Sequence, residues 1–384
     1  MQRNCCLFFF ILIFNIENLK AQIPQVLNNS YANLKALKSL SYCTNFTEEN
    51  PFNPGDFFRG TTKSQISYND NSSVNFKKEE RNINLGQIFT REIYNNSKLH
   101  TFDLVDSTYT KDDIKGGVKS ELHEIISGTL ILLRKNPSKI LQYNDTLFNG
   151  KKCYQFLIKA YDTLANGNHD YTFKTVLIEK HSLMPVYYKE IGAGTAFKDG
   201  FPIGRLKFFI EKSFIDIKVN ELIVDTEIKT DGFHELNTSM LNVGEIAPPI
   251  DVIPIANDEL NDISVLKAPV KLVVFGSTTC SANPLSNPML NRLHSKYSTK
   301  PFSIVNIYTG DKVEQITKYV QNNSLKFPVF FGTRLLRAKF KTVGTPNFYL
   351  IDPNGRIVAS ISGYSNSLEE ELTTKIDTLL KKIY

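Results

Sequence analysis

The chain has 384 residues, of which 41% are hydrophobic and 22% are charged, and its formal net charge at pH 7 is +6. A chain of this length and apolar content can fill more than one hydrophobic core, so we expect two domains. Its basic residues are scattered among acidic ones, which argues against a nucleic-acid-binding surface.

Residues 1–21 have the features of a secretion signal. Arg3 gives the N-terminus a positive charge, residues 5–14 form an apolar run, and Ala21 ends the polar stretch that follows. The run is too short for a membrane-spanning helix, which needs about 20 apolar residues. The alternative is a buried N-terminal helix. We expect a signal peptide over residues 1–21 and a secreted, periplasmic mature protein without a membrane span.

Three cysteines remain after removal of this segment: Cys43, Cys153 and Cys280. An odd number in a secreted protein leaves at least one thiol free. Cys43 and Cys153 both lie in strand-like segments, and they can form a disulfide if their Cα atoms come within about 7 Å of each other. Two separately buried thiols are the alternative.

Residues 22–240 read as a strand-rich N-terminal domain. Helical spacing of leucines predicts a helix over residues 30–40, capped by Ser30, and helical spacing of leucines and isoleucines predicts a second helix over residues 120–135. Most of the remaining sequence alternates between apolar and polar residues, as in β-strands. Asn149-Gly150 marks a hairpin turn.

One or two helices against consecutive antiparallel strands resemble the curved half-barrels of LolA-like envelope proteins. The resemblance covers roughly residues 27–225 and rests on strand order. It implies a concave face that can hold a hydrophobic ligand such as an acyl chain, or a peptide. A structural β domain with a filled core is the alternative.

Residues 241–384 change to an alternation of strands and helices, which indicates an α/β sheet covered by helices. The predicted strands cover residues 250–255, 270–275, 302–307, 329–331, 347–351 and 356–362. One predicted helix begins after Asn283, and three others cover residues 312–321, 333–340 and 367–382.

Cys280 stands where a buried strand runs into a helix, at residues 273–283. The helix N-terminus can stabilise a thiolate at such a junction. Pro284 disfavours helical geometry at Asn283, so we expect the helix to begin at Pro284 with Asn283 as its N-cap. That start leaves Cys280 about one turn from the helix N-terminus.

This junction and a second segment together resemble the TlpA/ResA-like thioredoxin-fold proteins of bacterial envelopes, within the redoxin (AhpC/TSA-like) grouping. The second segment contains Thr345-Pro346 and the hairpin turn of residues 352–355, and residues 243–249 form the lead-in. The resemblance implies a thioredoxin fold with a cis bond before Pro346, close to Cys280. It also implies that Thr345 and Pro346 position the backbone of a substrate peptide.

The active-site motif departs from that family's Trp-Cys-x-x-Cys pattern. Thr279 stands in place of the Trp, Asn283 in place of the second Cys, and Ser286 in place of the Glu that usually follows. Asn283 cannot resolve a mixed disulfide, and Ser286 cannot carry a proton as the family's Glu is thought to do. A dithiol cycle therefore cannot close within this motif.

The resulting hypothesis is thiol–disulfide exchange with envelope proteins through Cys280 as the only nucleophile. The first alternative is a non-catalytic binding module, and the second is a thiol peroxidase in which the Ser277 hydroxyl helps to hold the peroxide. The six histidines have no metal-ligand spacing, so neither a metal nor another cofactor is expected.

Overall fold

The structure is a computed structural model of the chain. It describes residues 23–68, 74–82, 88–105, 107–114, 119–165, 167–198, 201–221, 226–236, 239–255, 263–342 and 344–383. The expected signal peptide, residues 1–21, lies outside these ranges. No helix in the described ranges is long and apolar enough to cross a membrane.

The N-terminal part, residues 23–236, consists mainly of strands. Its helices are α1 (Gln25–Lys35) and α2 (Glu121–Lys135), and its strands are β1 (Ser39–Glu49), β2 (Phe57–Tyr68), β3 (Val74–Asn82), β4 (Ile88–Asn95), β5 (Lys98–Asp103), β6 (Thr108–Asp113), β7 (Ile140–Phe148), β8 (Lys151–Ala165), β9 (Asn168–Glu179), β10 (Pro185–Lys198), β11 (Phe201–Val219) and β12 (His234–Glu235). They form one sheet in the order β12-β6-β5-β4-β3-β2-β1-β11-β10-β9-β8-β7. Neighbouring strands are antiparallel except for the parallel pair of β12 and β6.

Both helices of the N-terminal part pack on this sheet. Helix α2 follows β6, next to one edge, and leads into β7 at the opposite edge. One apolar cluster contains buried side chains of α1 (Leu27, Leu34), of α2 (Leu122, Ile126, Leu130, Leu133) and of both halves of the sheet (Ile66, Val74, Phe156, Ile158, Val176). The packing favours a filled core for the N-terminal part.

The helix predicted over residues 30–40 is displaced in the structure. Helix α1 ends at Lys35, and Leu40 belongs to β1, where it pairs with Ile66. Ser30 does not cap the helix but lies buried within it. Leu27, Ser30 and Leu34 form the buried stripe of this helix, and a continuation to Leu40 would remove Ser39 and Leu40 from β1.

The second predicted helix and the hairpin of the N-terminal part are confirmed. The hydroxyl of Ser120 accepts a hydrogen bond from the backbone N–H of His123 at 3.3 Å, which is the expected N-cap contact of α2. Asn149 and Gly150 link β7 to β8 with φ of 46° and 76°. Such a turn matches the twist of the two strands.

A cavity of about 250 Å³ lies beside α2 in the N-terminal part. Five of its eleven lining side chains are charged: Lys78, Glu92, Lys119, Glu121 and Glu124. Covering charged groups with an apolar molecule removes their hydration without a compensating hydrogen bond. The lining therefore does not favour the hydrophobic ligand that the LolA-like resemblance implied.

The C-terminal part, residues 239–383, alternates strands and helices. Its strands are β13 (Val252–Pro254), β14 (Val270–Gly276), β15 (Phe302–Tyr308), β16 (Val329–Gly332), β17 (Asn347–Ile351) and β18 (Ile357–Ser362), and its helices are α3 (Ala282–Lys296), α4 (Val313–Asn322), α5 (Arg334–Lys339) and α6 (Leu368–Leu380). The six strands form a second, mixed sheet in the order β13-β16-β15-β14-β17-β18. Strands β14, β15 and β16 are parallel, and the other pairs are antiparallel.

Strand β14 lies at the centre of this sheet because its sequence is apolar on both faces. Leu272 and Val274 pack with α3, α4 and α6 on one side, whereas Val273 and Phe275 pack with α5 on the other. Adjacent side chains of a strand point to opposite faces, so a continuous apolar run requires cover on both. The alternation of strands and helices predicted for this part is confirmed.

Candidate functional site

The candidate site lies where three strand ends meet in the C-terminal part. The parallel strands β14 and β15 end side by side, with Gly276 opposite Tyr308. Strand β17 runs antiparallel to β14 and begins there, with Asn347 opposite Phe275. The segment after β14 carries Cys280, and the segment before β17 carries Pro346. The sheet register therefore brings these two residues together.

Cys280 is half-buried, and its thiol contacts the backbone in front of Pro346. The sulfur Sγ donates a hydrogen bond to the carbonyl oxygen of Thr345 at 2.9 Å. The peptide bond between Thr345 and Pro346 is cis, and the proline ring is buried. This contact exists only while the thiol carries its proton. The structure therefore brings together Cys280, Thr345 and Pro346, the three residues that the family resemblance singled out.

Helix α3 begins two residues earlier than the sequence predicts. Its first residue is Ala282 and its N-cap is Ser281, so Cys280 directly precedes the N-cap. Pro284 is accommodated as the third helical residue because the first backbone N–H groups of a helix have no intrahelical acceptor. The expectation that Asn283 is the N-cap is therefore wrong.

Asn283 takes the position of the missing second cysteine and points back to the turn before Cys280. Its Nδ2 donates to the carbonyl oxygen of Ser277 at 2.9 Å, and the side chain is buried. A Cβ on Gly276 would lie 2.8 Å from this Nδ2, so only glycine leaves room for the amide. Ser286 is also buried, and its hydroxyl donates to the Asn283 carbonyl oxygen at 2.9 Å. Asn283 and Ser286 thus have structural contacts.

Asp311 is a site residue that the sequence analysis missed. Its Oδ1 accepts hydrogen bonds from the backbone N–H of Thr278 at 3.0 Å, from the Thr278 hydroxyl, and from the Ser277 hydroxyl at 3.4 Å. Burial raises the pKa of this carboxyl, and these hydrogen bonds oppose the rise. Asp311 follows the end of β15, and the rule that parallel strands end at a common edge could have identified it.

The remaining hydroxyls of the turn are also engaged. The hydroxyls of Ser277 and Thr279 lie 2.9 Å apart, and Thr279 is exposed where the family has an aromatic residue. The Ser277 hydroxyl, which the peroxidase alternative requires beside the sulfur, bonds Thr279 and Asp311 instead. The geometry does not favour a peroxide site.

A buried polar cluster lies behind the turn. It contains the buried atoms Asn283 Oδ1, Asn306 Oδ1, Tyr308 OH and Asp311 Oδ2. Tyr319 accepts a hydrogen bond from Asn287 at 3.0 Å, and burial raises its pKa, with further contributions from Cys280 and Asp311. Burial also raises the pKa of Tyr308, so the hydroxyls of Tyr308 and Tyr319 are both neutral at physiological pH.

Cys43 and Cys153 do not form the disulfide considered from the sequence, and both thiols are free. Cys43 lies on β1 and Cys153 on β8, with β11, β10 and β9 between them. Four strand spacings of about 4.8 Å separate the two cysteines by roughly 19 Å, far beyond the reach of a disulfide. Burial raises the pKa of both thiols.

No cluster of three or more His, Cys, Asp or Glu side chains within the described ranges could hold a metal ion.

Comparisons with known proteins find similarity to thioredoxin-like proteins in the C-terminal part. Residues 269–357 match a protein family described as thioredoxin-like. Over 145 residues, the chain is 26% identical to the thiol-disulfide oxidoreductase ResA of Bacillus thuringiensis strain Al Hakam, a match that covers 37% of this chain and 79% of the relative. The ResA of Bacillus anthracis matches equally.

Among solved structures, the thioredoxin domain of a thiol-disulfide oxidoreductase from Bacteroides vulgatus is 21% identical, with a TM-score of 0.32, and the match covers 36% of this chain and 99% of that one. A thioredoxin family thiol:disulfide interchange protein from Chlorobium tepidum is 19% identical, with a TM-score of 0.31 and coverage of 35% and 95%. The family match and the ResA relatives identify the C-terminal part as a thioredoxin-like domain.

Proposed function

We propose that the protein exchanges disulfides with extracytoplasmic proteins through the single thiol of Cys280. The observation that carries this proposal is the contact of Sγ with the Thr345 carbonyl oxygen, beside the buried ring of Pro346. An extended peptide that pairs with the backbone of Thr345 would present its disulfide to this sulfur. The names of the ResA relatives, which are thiol-disulfide oxidoreductases, support the same chemistry.

The proposed reaction begins with deprotonation of Cys280, which breaks its hydrogen bond to Thr345. The thiolate attacks one sulfur of a partner disulfide. A bond forms between Cys280 and that sulfur, the partner's S–S bond breaks, and the second sulfur leaves as a thiolate that takes up a proton. The partner disulfide is thereby reduced at one sulfur and joined to Cys280 at the other.

Release from this mixed disulfide requires a thiol from another molecule. The side chain at the resolving position is Asn283, an amide that cannot attack a disulfide, and its amide group is bonded to Ser277. The thiolate of a low-molecular-weight thiol such as glutathione, or of a partner dithiol, would attack the partner's sulfur in the mixed disulfide. A new disulfide forms between the attacking sulfur and the partner's sulfur, the bond to Cys280 breaks, and Cys280 leaves as a thiolate. The proposed cycle therefore depends on the concentration of an external thiol.

A binding module without catalysis is the alternative function. It is favoured by the buried contacts of Asn283 and Ser286, which fill the positions of the family's reactive groups with structural hydrogen bonds. In that case the edge near Thr345 binds a peptide, and the thiol of Cys280 takes no part.

The deciding experiment uses the mature chain, a synthetic peptide that contains one disulfide, and glutathione. We expect a mixed disulfide on Cys280, detected by mass spectrometry, and glutathione-dependent turnover of the peptide. Cys280→Ser should abolish both. Cys43→Ser is the matched control because Cys43 is also half-buried but lies on β1. Peptide binding with no covalent adduct would instead establish the binding module.

Export is part of the same proposal. We propose cleavage after Ala21 and two domains in the mature chain, residues 22–240 and 241–384. Mass determination of the protein recovered from the periplasm of an expression host tests the cleavage, and recovery of the uncleaved chain from the cytoplasm would contradict it.

A further inference from the structure

The loop between β1 and β2, residues 50–56, lies against the C-terminal part of the chain. Two of its asparagines are almost inaccessible to solvent, Asn50 with 2% of its surface exposed and Asn53 with 0%. Buried amides of this kind have specific hydrogen-bond partners because an unpaired amide is costly. Their partners lie in the other half of the chain.

Each asparagine bonds a different element of the C-terminal part. Asn50 Nδ2 donates to the carbonyl oxygen of Thr278 at 3.0 Å. Asn53 Nδ2 donates to the carbonyl oxygen of Gln315 in α4 at 3.2 Å, and its Oδ1 accepts from Asn322 at 3.0 Å. Only the first of these contacts reaches the turn that precedes Cys280.

The loop has internal hydrogen bonds that fix its shape. The backbone N–H of Asn50 donates to the Asp56 carbonyl oxygen at 2.8 Å, and that of Phe52 donates to Asn50 Oδ1 at 3.0 Å. The N–H of Gly55 donates to a carboxylate oxygen of Glu49 at 2.7 Å. The Asn50 amide is thus oriented by its own loop, with its oxygen bound locally and its nitrogen free to face Thr278.

Thr278 is therefore held from two sides. Its N–H and hydroxyl donate to Asp311 from within the C-terminal part, whereas its carbonyl oxygen accepts from Asn50 in the N-terminal part. Thr278 has 0% of its surface exposed and lies two residues before Cys280, whose own N–H donates to the Ser277 carbonyl oxygen at 3.3 Å. A displacement of Thr278 would move the sulfur relative to Thr345.

We propose that the N-terminal part completes the Cys280 site and that Asn50 is its positioning residue. This inference rests on the proposed function for its biological meaning, but the position of the sulfur can be tested without it. In this arrangement the strand-rich half is a structural component of the thiol site rather than a separate module joined by a linker.

Asn50→Asp and Asn53→Asp form a matched pair of test variants. Each adds one carboxylate to the same loop and removes one donation to a backbone carbonyl. Asn50→Asp keeps the acceptor for the Phe52 N–H, and Asn53→Asp keeps the acceptor for Asn322. Only Asn50→Asp places a carboxylate against the carbonyl of Thr278, where the two oxygens repel each other.

The first measurement is alkylation of Cys280 by iodoacetamide in the full mature chain, followed through the mass of the Cys280 peptide from about pH 6 to pH 10. At the upper end of this pH range, we expect Asn50→Asp to react about fivefold faster because the sulfur leaves its half-buried position. We expect Asn53→Asp to stay within about twofold of the parent chain.

The second measurement is exchange with the disulfide peptide, where we expect Asn50→Asp to be about fivefold slower because the sulfur no longer lies beside Thr345. Equal alkylation rates in all three proteins, or the same change in both variants, would overturn the role of Asn50. Absence of exchange in the parent chain, with alkylation altered only in Asn50→Asp, would reject the proposed function and keep this inference.

Should the carboxylates prevent folding, Asn50→Ser and Asn53→Ser remove the same two donations without adding charge. The same two measurements and the same criteria apply to that pair.

Discussion

Replacement of Asp311 by alanine removes the acceptor that holds the turn before Cys280. The donors left behind are the backbone N–H and hydroxyl of Thr278, together with the Ser277 hydroxyl. Thr278 has 0% of its surface exposed, so its two donors are shielded from bulk solvent. An unpaired buried donor costs roughly 1–3 kcal/mol, and loss of the buried carboxylate offsets part of that cost, so we expect Asp311→Ala to lower the free energy of unfolding by about 2–4 kcal/mol.

Asp311→Asn separates the loss of hydrogen bonds from the loss of charge. The amide oxygen can occupy the Oδ1 position and accept from Thr278, and the amide nitrogen takes the place of Oδ2, which has no partner in the structure. We expect this variant to lose less than about 1 kcal/mol of stability.

The pH dependence of stability is a second signature of Asp311. Burial raises the pKa of its carboxyl, and the nearby carboxylate of Asp56 adds to the rise. The folded state therefore binds this proton more tightly than the unfolded state does. The stability that this proton contributes is fully present below the ordinary pKa of an aspartate, about 4. It is lost as the pH rises through the raised pKa of Asp311 in the folded state. Because asparagine does not titrate in this pH range, Asp311→Asn does not lose stability in this way.

Urea unfolding followed by circular dichroism, repeated from about pH 4 to pH 8, measures both effects. The difference in free energy of unfolding between the parent chain and Asp311→Asn should fall as the pH rises. A difference that stays constant with pH, or equal stabilities of the alanine and asparagine variants, would refute this account of Asp311.

Three further predictions concern packing and capping. Leu290→Ala in α3, at 1% exposure, should lower the free energy of unfolding by about 2–5 kcal/mol, while Leu147→Ala in β7, at 70% exposure, should change it by less than about 0.5 kcal/mol; urea unfolding compares the two. Gly276→Ala should cost about 1–3 kcal/mol because the new methyl group meets Asn283 Nδ2 at 2.8 Å, and thermal unfolding that matches the parent chain would contradict this. Ser120→Ala removes the N-cap of α2 and should cost about 1 kcal/mol, whereas unchanged hydrogen exchange in the first turn of α2 would show that the cap is unimportant.

Local patterns in the sequence were sufficient for most of the C-terminal part. The apolar run of β14 predicts a central strand because no other placement covers both of its faces. The Asp352-Pro353-Asn354-Gly355 segment predicts the turn between β17 and β18, where Gly355 has a φ of 76°. Both predictions depend on neighbouring residues alone.

Predictions that needed distances between remote segments were less successful. Cys43 and Cys153 both lie on strands, but their separation follows from the strand order β1-β11-β10-β9-β8, which no local pattern contains. The start of α3 at Ala282 likewise depends on the burial of Asn283 and on its hydrogen bond to Ser277. These contacts outweigh the tendency of a residue before proline to avoid helical backbone geometry.

The sequence by itself determined that a thiol stands at the end of a buried strand, that its usual partner cysteine is absent, and that a Thr-Pro segment belongs beside it. Only the tertiary structure brought Asp311 and Asn50 to the two sides of Thr278. The physical reason is that hydrogen-bond partners 33 and 228 residues away are selected by the register of two sheets and the packing between them. Backbone propensity acts over a few residues and carries no information about such contacts.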